Sequence, residues 1–424
     1  MENLIHYVWK YRLYDLQTLI MSDGTQFEVI DTGLLNTDSG PDFFNAKIKV
    51  KNAVLVGNVE IHTNSSDWYR HRHNSDKLYN SVILHVVENI DEPEILDQAK
   101  RKIPQWQITV PERVRENYRF LLESDFSVPC AGFIREIPEI YLNDWKNALL
   151  TERLERKTNV LLDLLKVYKN DWNEVFYIAL ARNFGFGINN DAFERLAKSL
   201  PLRIILKNID SNLRTEALFL GQAGLLAKDE TIDDDYYSKL RQEYAFLKKK
   251  YRLKPLEAHI FRSLRIRPDN FPHIKIVQLA SIIRSIQGLF SRMMEITENA
   301  QYNLLFVANP DEYWNTHYRF GNVSPRRSRL LGLSAINIIL INTVVPLLFA
   351  YGKKNGGEEY IRRAFSLLES LKPESNAVVT LFSRSGMKIE NACDTQAVIQ
   401  LKREYCEKKK CMYCRIGHRL LLKQ

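Results

Sequence analysis

The chain has 424 residues, 45% hydrophobic and 26% charged, with a formal net charge of +9. This composition excludes a disordered or low-complexity chain, and the length leads us to expect two or three domains. Five cysteines are too few for a disulfide framework, and His6, Lys10 and Arg12 break the apolar run that a secretory leader needs, so a cytoplasmic location is expected.

Residues 2–21 place Leu4, Ile5, Val8, Trp9, Tyr11, Leu16, Leu19 and Ile20 close to a 3.6-residue stripe, which predicts a first helix closed by Ser22-Asp23-Gly24. Residues 26–31 read as a short strand, followed by the loop TGLLNTDSGP. In 43–50, Ala46, Ile48 and Val50 alternate with Asn45, Lys47 and Lys49, as in a half-buried strand. Residues 53–62 form a second strand across the tight turn Lys51-Asn52. Ser65 or Ser66 is read as the cap of a helix reaching about Tyr79, 81–88 as a strand buried on both faces, and 106–110 as one more strand.

From about Pro138 the pattern turns helical, without a repeat period. The expected domains are 1–130 (α+β), 131–385 (α-helical) and 386–424 (a basic, Cys-rich segment). Residues 330–351 carry no charge and are long enough to cross a bilayer. Asn337, Asn342, Thr343 and Pro346, with basic flanks on both sides, favour a buried core helix over stable membrane insertion.

Four groups of residues could carry chemistry. Asp42 opens one strand and Glu60 lies near the end of the next, with His62 on the same face as Glu60. Two carboxylates at strand ends can bind Mg²⁺ or Mn²⁺, and His62 can orient or deprotonate a water. On the expected helix, His73 and Asp76 share a face, Asp67 pairs with His71, and His71 and His73 diverge; these are either surface pairs or part of the same cleft. His85, inside VILHVV, is read as a buried, hydrogen-bonded histidine.

Arg265 and Arg267, with Arg262 and Lys275 around Pro268 and Pro272, form a shaped loop that is either packed between helices or open to phosphate. Cys393, Cys406, Cys411 and Cys414, the last pair a C-x-x-C clip, suit Zn²⁺ or an iron–sulfur cluster, with His418 as a substitute ligand. Lys408, Lys409 and Lys410 near Tyr405 and Tyr413 are either a solvated face or a phosphate-contacting one. Cys130 is read as a small core residue.

The order helix, three strands, helix, strand, with Pro41-Asp42 and Glu60-Ile61-His62, resembles the PD-(D/E)xK nuclease-like superfamily. The resemblance implies that Asp42 and Glu60 bind metal, and that His62 stands where the superfamily has a Lys. Its GPDF, GNVEIH and SSDWYRHRHNSDKLYNSVILHVV segments, with the terminal cysteines, make the chain similar over nearly its full length to the bacterial domain-of-unknown-function family 2851. The resulting expectation is a metal-dependent nuclease acting on DNA or RNA. Two alternatives stand beside it: a non-catalytic nucleic-acid-binding protein of the same fold, and a metal-dependent hydrolase of a small substrate using His71 and His73 with Glu60.

Overall fold

In the computed structural model, which describes residues 2–16, 19–285 and 288–423, the chain is α+β and divides into two units. The first comprises residues 1–138 with 402–424, the second 139–401. This division differs from the expected bounds at 130 and 386. Residues 402–424 join the N-terminal unit, where Tyr7 Oη meets His418 Nδ1 at 2.6 Å and Asn117 donates to the Leu420 carbonyl. Helix Arg415–Leu421 buries Ile416, Leu420 and Leu421, and a piece so short cannot build a core alone.

Helix α1 (Glu2–Lys10) opens the first unit. It stops well short of 21, because Arg12 turns into the left-handed region at φ 51° and Leu16 is exposed; residues 17 and 18 lie outside the described residues. Strands β1 (Leu19–Ile20), β2 (Gln26–Asp31), β3 (Leu34–Leu35), β4 (Phe43–Val50), β5 (Ala53–Asn64) and β6 (Val82–Asn89) follow. After them come the β7 (Ile95–Leu96)/β8 (Lys102–Ile103) ribbon, β9 (Gln105–Gln107) and a helix, α3 (Glu112–Glu123). The main sheet runs β1-β2-β4-β5-β6-β9, with β3 on β4.

Strands β2, β4 and β5 are antiparallel, and β5, β6 and β9 are parallel. A parallel neighbour requires a crossover, and the segment between β5 and β6 supplies it. That crossover is not the single helix expected from 66 to 79. Helix α2 (Asp67–Arg70) lasts one turn, Arg72 sits at φ 65°, and two 3₁₀ turns, His73–Ser75 and Lys77–Ser81, complete the path. The Ser65 and Ser66 hydroxyls bond the Asp91 carboxylate and do not cap the helix.

Gly57 lets β5 pass close to the end of the crossover and the start of β6, since a Cβ there would lie 2.3 Å from Ile83 Cγ2 and 2.7 Å from the Ser81 carbonyl. Gly57→Ala is expected to cost about 1–3 kcal/mol by overpacking; urea denaturation of the full chain reads it.

The second unit is helical apart from a two-stranded ribbon, with helix Glu139–Val167 packed against Ala392–Gln400 and Val345–Asn355. The apolar segment forms Leu333–Asn355, a helix long and apolar enough to cross a membrane, of whose window 67% is buried within this unit. A π turn at Leu340–Val344 precedes Pro346, and Lys157 donates to the Asn342 side chain while Asn183 donates to Thr343 Oγ1.

Glu216 is fully buried there, accepting from the Asp311 amide, Trp314 Nε1 and Tyr236 Oη, and burial pushes its carboxyl up to about 7. Glu216→Ala orphans three donors and is expected to destabilise this unit by about 3 kcal/mol or more, read as a shift in denaturation midpoint.

Candidate metal centre

Two backbone accidents bring the site together. Gly40 at φ 106° and the Asn36 side chain, donating to the Ser39 and Pro41 carbonyls, shape the turn that delivers Asp42 to the start of β4. Beside it, β5 carries Glu60 and His62 on one face, with Val59 and Ile61 fully buried on the other. The two carboxylates interlock: the Asp42 amide donates to Glu60 Oε2 at 3.0 Å, and the Ile61 amide donates to Asp42 Oδ2 at 2.9 Å.

The second accident is the left-handed Arg72. Had 66–79 been one helix, His71 and His73 would point apart; instead the turn folds both onto His62. The His62 and His73 rings stack at 5.3 Å with 12° between planes, and His71 closes the triangle edge-on. One ring nitrogen from each of the three histidines lies within 4.8 Å of the others. Glu60 Oε1 stands 3.1 Å from His73 Nε2 and 3.5 Å from His62 Nε2.

Burial sets the electrostatics. Glu60 is 4% exposed, and burial, with the Asp42 charge beside it, pushes its carboxyl up to about 9. Burial and the surrounding histidines pull the His62 imidazole down to about 2, and burial alone is the main reason His73 is lowered. Both rings are therefore neutral near pH 7, which is the ligating form of histidine.

His62 Nδ1 lies 2.8 Å from His85 Nε2, and Gln105 is the register partner of His85 on β9. With Nδ1 of His62 as the donor in this chain, its Nε2 lone pair faces His71 and Glu60. His85 is thus fully buried and hydrogen-bonded, and it acts as the support that orients His62.

On the other side of Asp42, Glu2 and His6 from α1 complete a second set with ligand atoms within 4.8 Å. Burial lowers the His6 proton affinity, but the hydrogen bond and charge of Asp42 outweigh it and raise the net value. Among the described residues these are the two sets of three or more donors so closely spaced.

A divalent ion fits the first set on the structure's own terms. His73 Nε2 is buried and makes no hydrogen bond, although it is only 3.1 Å from Glu60. Burial holds the Glu60 carboxyl at about 9, and a cation among these neutral imidazoles would favour its ionised, ligating form.

The remaining expected site residues fall elsewhere. Asp76 caps the turn Lys77–Ser81 by accepting from the Leu78 amide, a difference that follows from the missing helix, and within the one turn that does form Asp67 pairs with Arg70 at 2.5 Å. Arg265 and Arg267 are exposed on a loop of the helical unit, which Pro272 ends by starting the helix Pro272–Ser285. Cys393 belongs to that unit, where Glu369, Asp394 and Lys146 are among its charged neighbours, while Cys406, Cys411 and Cys414 belong to the first unit. His418 is engaged with Tyr7, Lys408 pairs with Glu404, and Lys409 Nζ donates to the Leu122 carbonyl.

Glu2 and His6 were not among the expected residues. Their four-residue spacing on a helix was the available signal, but nothing in sequence links α1 to Asp42.

No curated protein and no solved structure matches the chain. The family described as Protein of unknown function (DUF2851) matches residues 2–377, leaving the terminal cysteines outside, and the chain belongs to that family.

Proposed function

We propose that the N-terminal unit is a metal-dependent hydrolase that cleaves phosphodiester bonds in DNA or RNA. The observation that carries this reading is the convergence of Glu60 with His62, His71 and His73, beside Asp42. The phosphodiester assignment is supported by strand order: Asp42 leads into the middle strand of an antiparallel meander, Glu60-Ile61-His62 lies on the next, and the following long strand runs parallel to it. That is the arrangement on which the resemblance to PD-(D/E)xK nucleases rests.

Glu60, His62, His71 and His73 would hold the ion, and a set this rich in nitrogen suits Mn²⁺ or Zn²⁺ better than Mg²⁺, which prefers oxygen. The ion supplies Lewis-acid chemistry, stabilising charge on a phosphoryl oxygen and acidifying water. His62, buried and committed to His85, orients and does not exchange protons with solvent. His6, whose proton affinity Asp42 raises, can deliver a proton from Nε2 to a departing oxygen.

A second reading, hydrolysis of a small phosphoester, draws support from charge. The sheet unit has almost equal numbers of basic and acidic residues, because the basic C-terminus offsets an acidic residue 1–138 segment, and the positive excess lies in 139–401.

The test is purified full chain with Mn²⁺, Zn²⁺ or Mg²⁺ against labelled single-stranded DNA, duplex DNA, RNA and bis(4-nitrophenyl) phosphate, with an EDTA control. EDTA-sensitive cleavage of a polynucleotide supports the proposal. Turnover of the small ester alone moves the assignment to the second reading. Salt-sensitive polynucleotide binding without turnover identifies a non-catalytic binder.

A further inference from the structure

The terminal cysteines acquire a different fourth partner in the folded chain. The charged-group neighbours of the buried Cys130 thiol are Cys414, Cys406 and Cys411, and those of Cys406 begin with Cys414 and Cys411. Residues 276 or more positions apart in sequence thus come within electrostatic range of one another in a single unit.

The placement is built by the surroundings. Lys402 Nζ donates to the Ser127 carbonyl at 2.8 Å, Lys409 Nζ to the Leu122 carbonyl at 2.6 Å, and Lys423 pairs with Glu136 at 2.6 Å while lying over the Phe133 ring. Three lysines therefore staple the C-terminal segment onto 122–136. The Phe133 amide bonds the Cys130 carbonyl, closing the turn that holds this cysteine. Cys406 ends a π turn, Leu401–Cys406, a local irregularity frequent at functional sites. The turn Cys411–Tyr413 packs so tightly on the last helix that a Cβ at Gly417 would lie 2.1 Å from the Cys411 carbonyl.

We propose that Cys130, Cys406, Cys411 and Cys414 form a four-thiolate site for an iron–sulfur cluster, with Cys130 and not Cys393 as the fourth ligand. Four sulfurs from two distant segments are the donor set that thiophilic centres require. Their spread selects the cluster over a single ion. Tetrahedral zinc at about 2.3 Å from each sulfur draws all four sulfurs close together, yet these thiols are not among the donor sets whose atoms lie within 4.8 Å of one another in the described residues. Lys402 beside Cys406 and Lys409 beside Cys411 balance the negative charge that four thiolates bring. Ligation releases four thiol protons and leaves Cys393 a free thiol.

The experiment is anaerobic purification of the full chain, with assay of iron, acid-labile sulfide and zinc, and the visible spectrum before and after dithionite. Iron and sulfide in stoichiometric amounts, with a bleachable chromophore, are expected in the native sequence and in Cys393→Ser, falling to background in Cys130→Ser. A second measurement covers the case in which Cys130→Ser does not fold. Maleimide labelling of the native chain, mapped by mass spectrometry, is expected to modify the half-buried Cys393 without chelator and the other four only after chelation and oxidation of the cluster. Stoichiometric zinc without sulfide overturns the cluster. Undiminished iron in Cys130→Ser, or prompt labelling of Cys130 in the metal-loaded chain, overturns the ligand set.

Discussion

Glu60→Gln is expected to lower divalent-metal-dependent hydrolysis on the order of 10³-fold while leaving the chain folded. The Glu60 carboxylate touches both halves of the centre, with Oε1 facing His73 and His62 and Oε2 accepting the Asp42 amide. The amide keeps the volume and one acceptor, but it removes the charge that a divalent ion needs among otherwise neutral ligands, and losses of this size follow when a charge-stabilising group is deleted from a transition-state site. Isothermal titration with Mn²⁺ and Zn²⁺, beside the cleavage assay, separates loss of the ion from loss of chemistry. Asp76→Asn supplies the contrast, because Asp76 caps a 3₁₀ turn and its charge is a secondary influence on His73; activity within about twofold of the native chain is expected, with at most about 1 kcal/mol of stability lost. Full activity in Glu60→Gln would move the centre away from β5.

The metal-free protein is expected to lose stability as pH rises, and the effect should disappear in the same variant. Glu60 ordinarily titrates at 4.5 and is held at about 9 in the fold. A group whose folded value is raised keeps its proton on folding, so its contribution is complete below about 4.5 and is lost as pH climbs through 9. His62 acts oppositely: its folded value is lowered to about 2 from 6.5, so its contribution is present above 6.5 and is lost as pH falls towards 2.

Between pH 6.5 and 9 Glu216, held at about 7, and Lys275, lowered to about 8, titrate as well, so the Glu60 effect is read as the difference between the native chain and Glu60→Gln. In EDTA, the native chain should lose roughly 5 °C or more of Tm across that window relative to Glu60→Gln. Adding Mn²⁺ or Zn²⁺ should restore the native Tm most strongly at the alkaline end, since the ion replaces the proton. A flat Tm profile that is the same for both chains would mean that Glu60 is solvated and ionised throughout.

Much of the sheet was legible because alternation is a local property. Residues 46–50 alternate beyond the bulge at Asn45, the two-residue turn Lys51-Asn52 fixes the pairing of Val50 with Ala53, and VILHVV is buried along most of its length as a strand between two parallel neighbours. The same locality brought Asp42, Glu60 and His62 into view, since residues two apart on a strand share a face whatever surrounds them.

Composition, the alternating strands and the helical spacing after Pro138 thus determined an α+β chain with carboxylates at strand ends. The tertiary structure decided what those carboxylates meet. The stripe in 66–79 fits a helix equally well, and only Arg72 in the left-handed region, with Ser65 and Ser66 drawn to Asp91, breaks it and turns His71 and His73 inward. His6 reaches Asp42, and Cys130 joins the terminal cysteines in one unit, across tens to hundreds of residues. Periodicity reports which face of an element is buried; which distant element covers that face depends on how the whole core packs, and this information is shared among residues too far apart for any local pattern to hold.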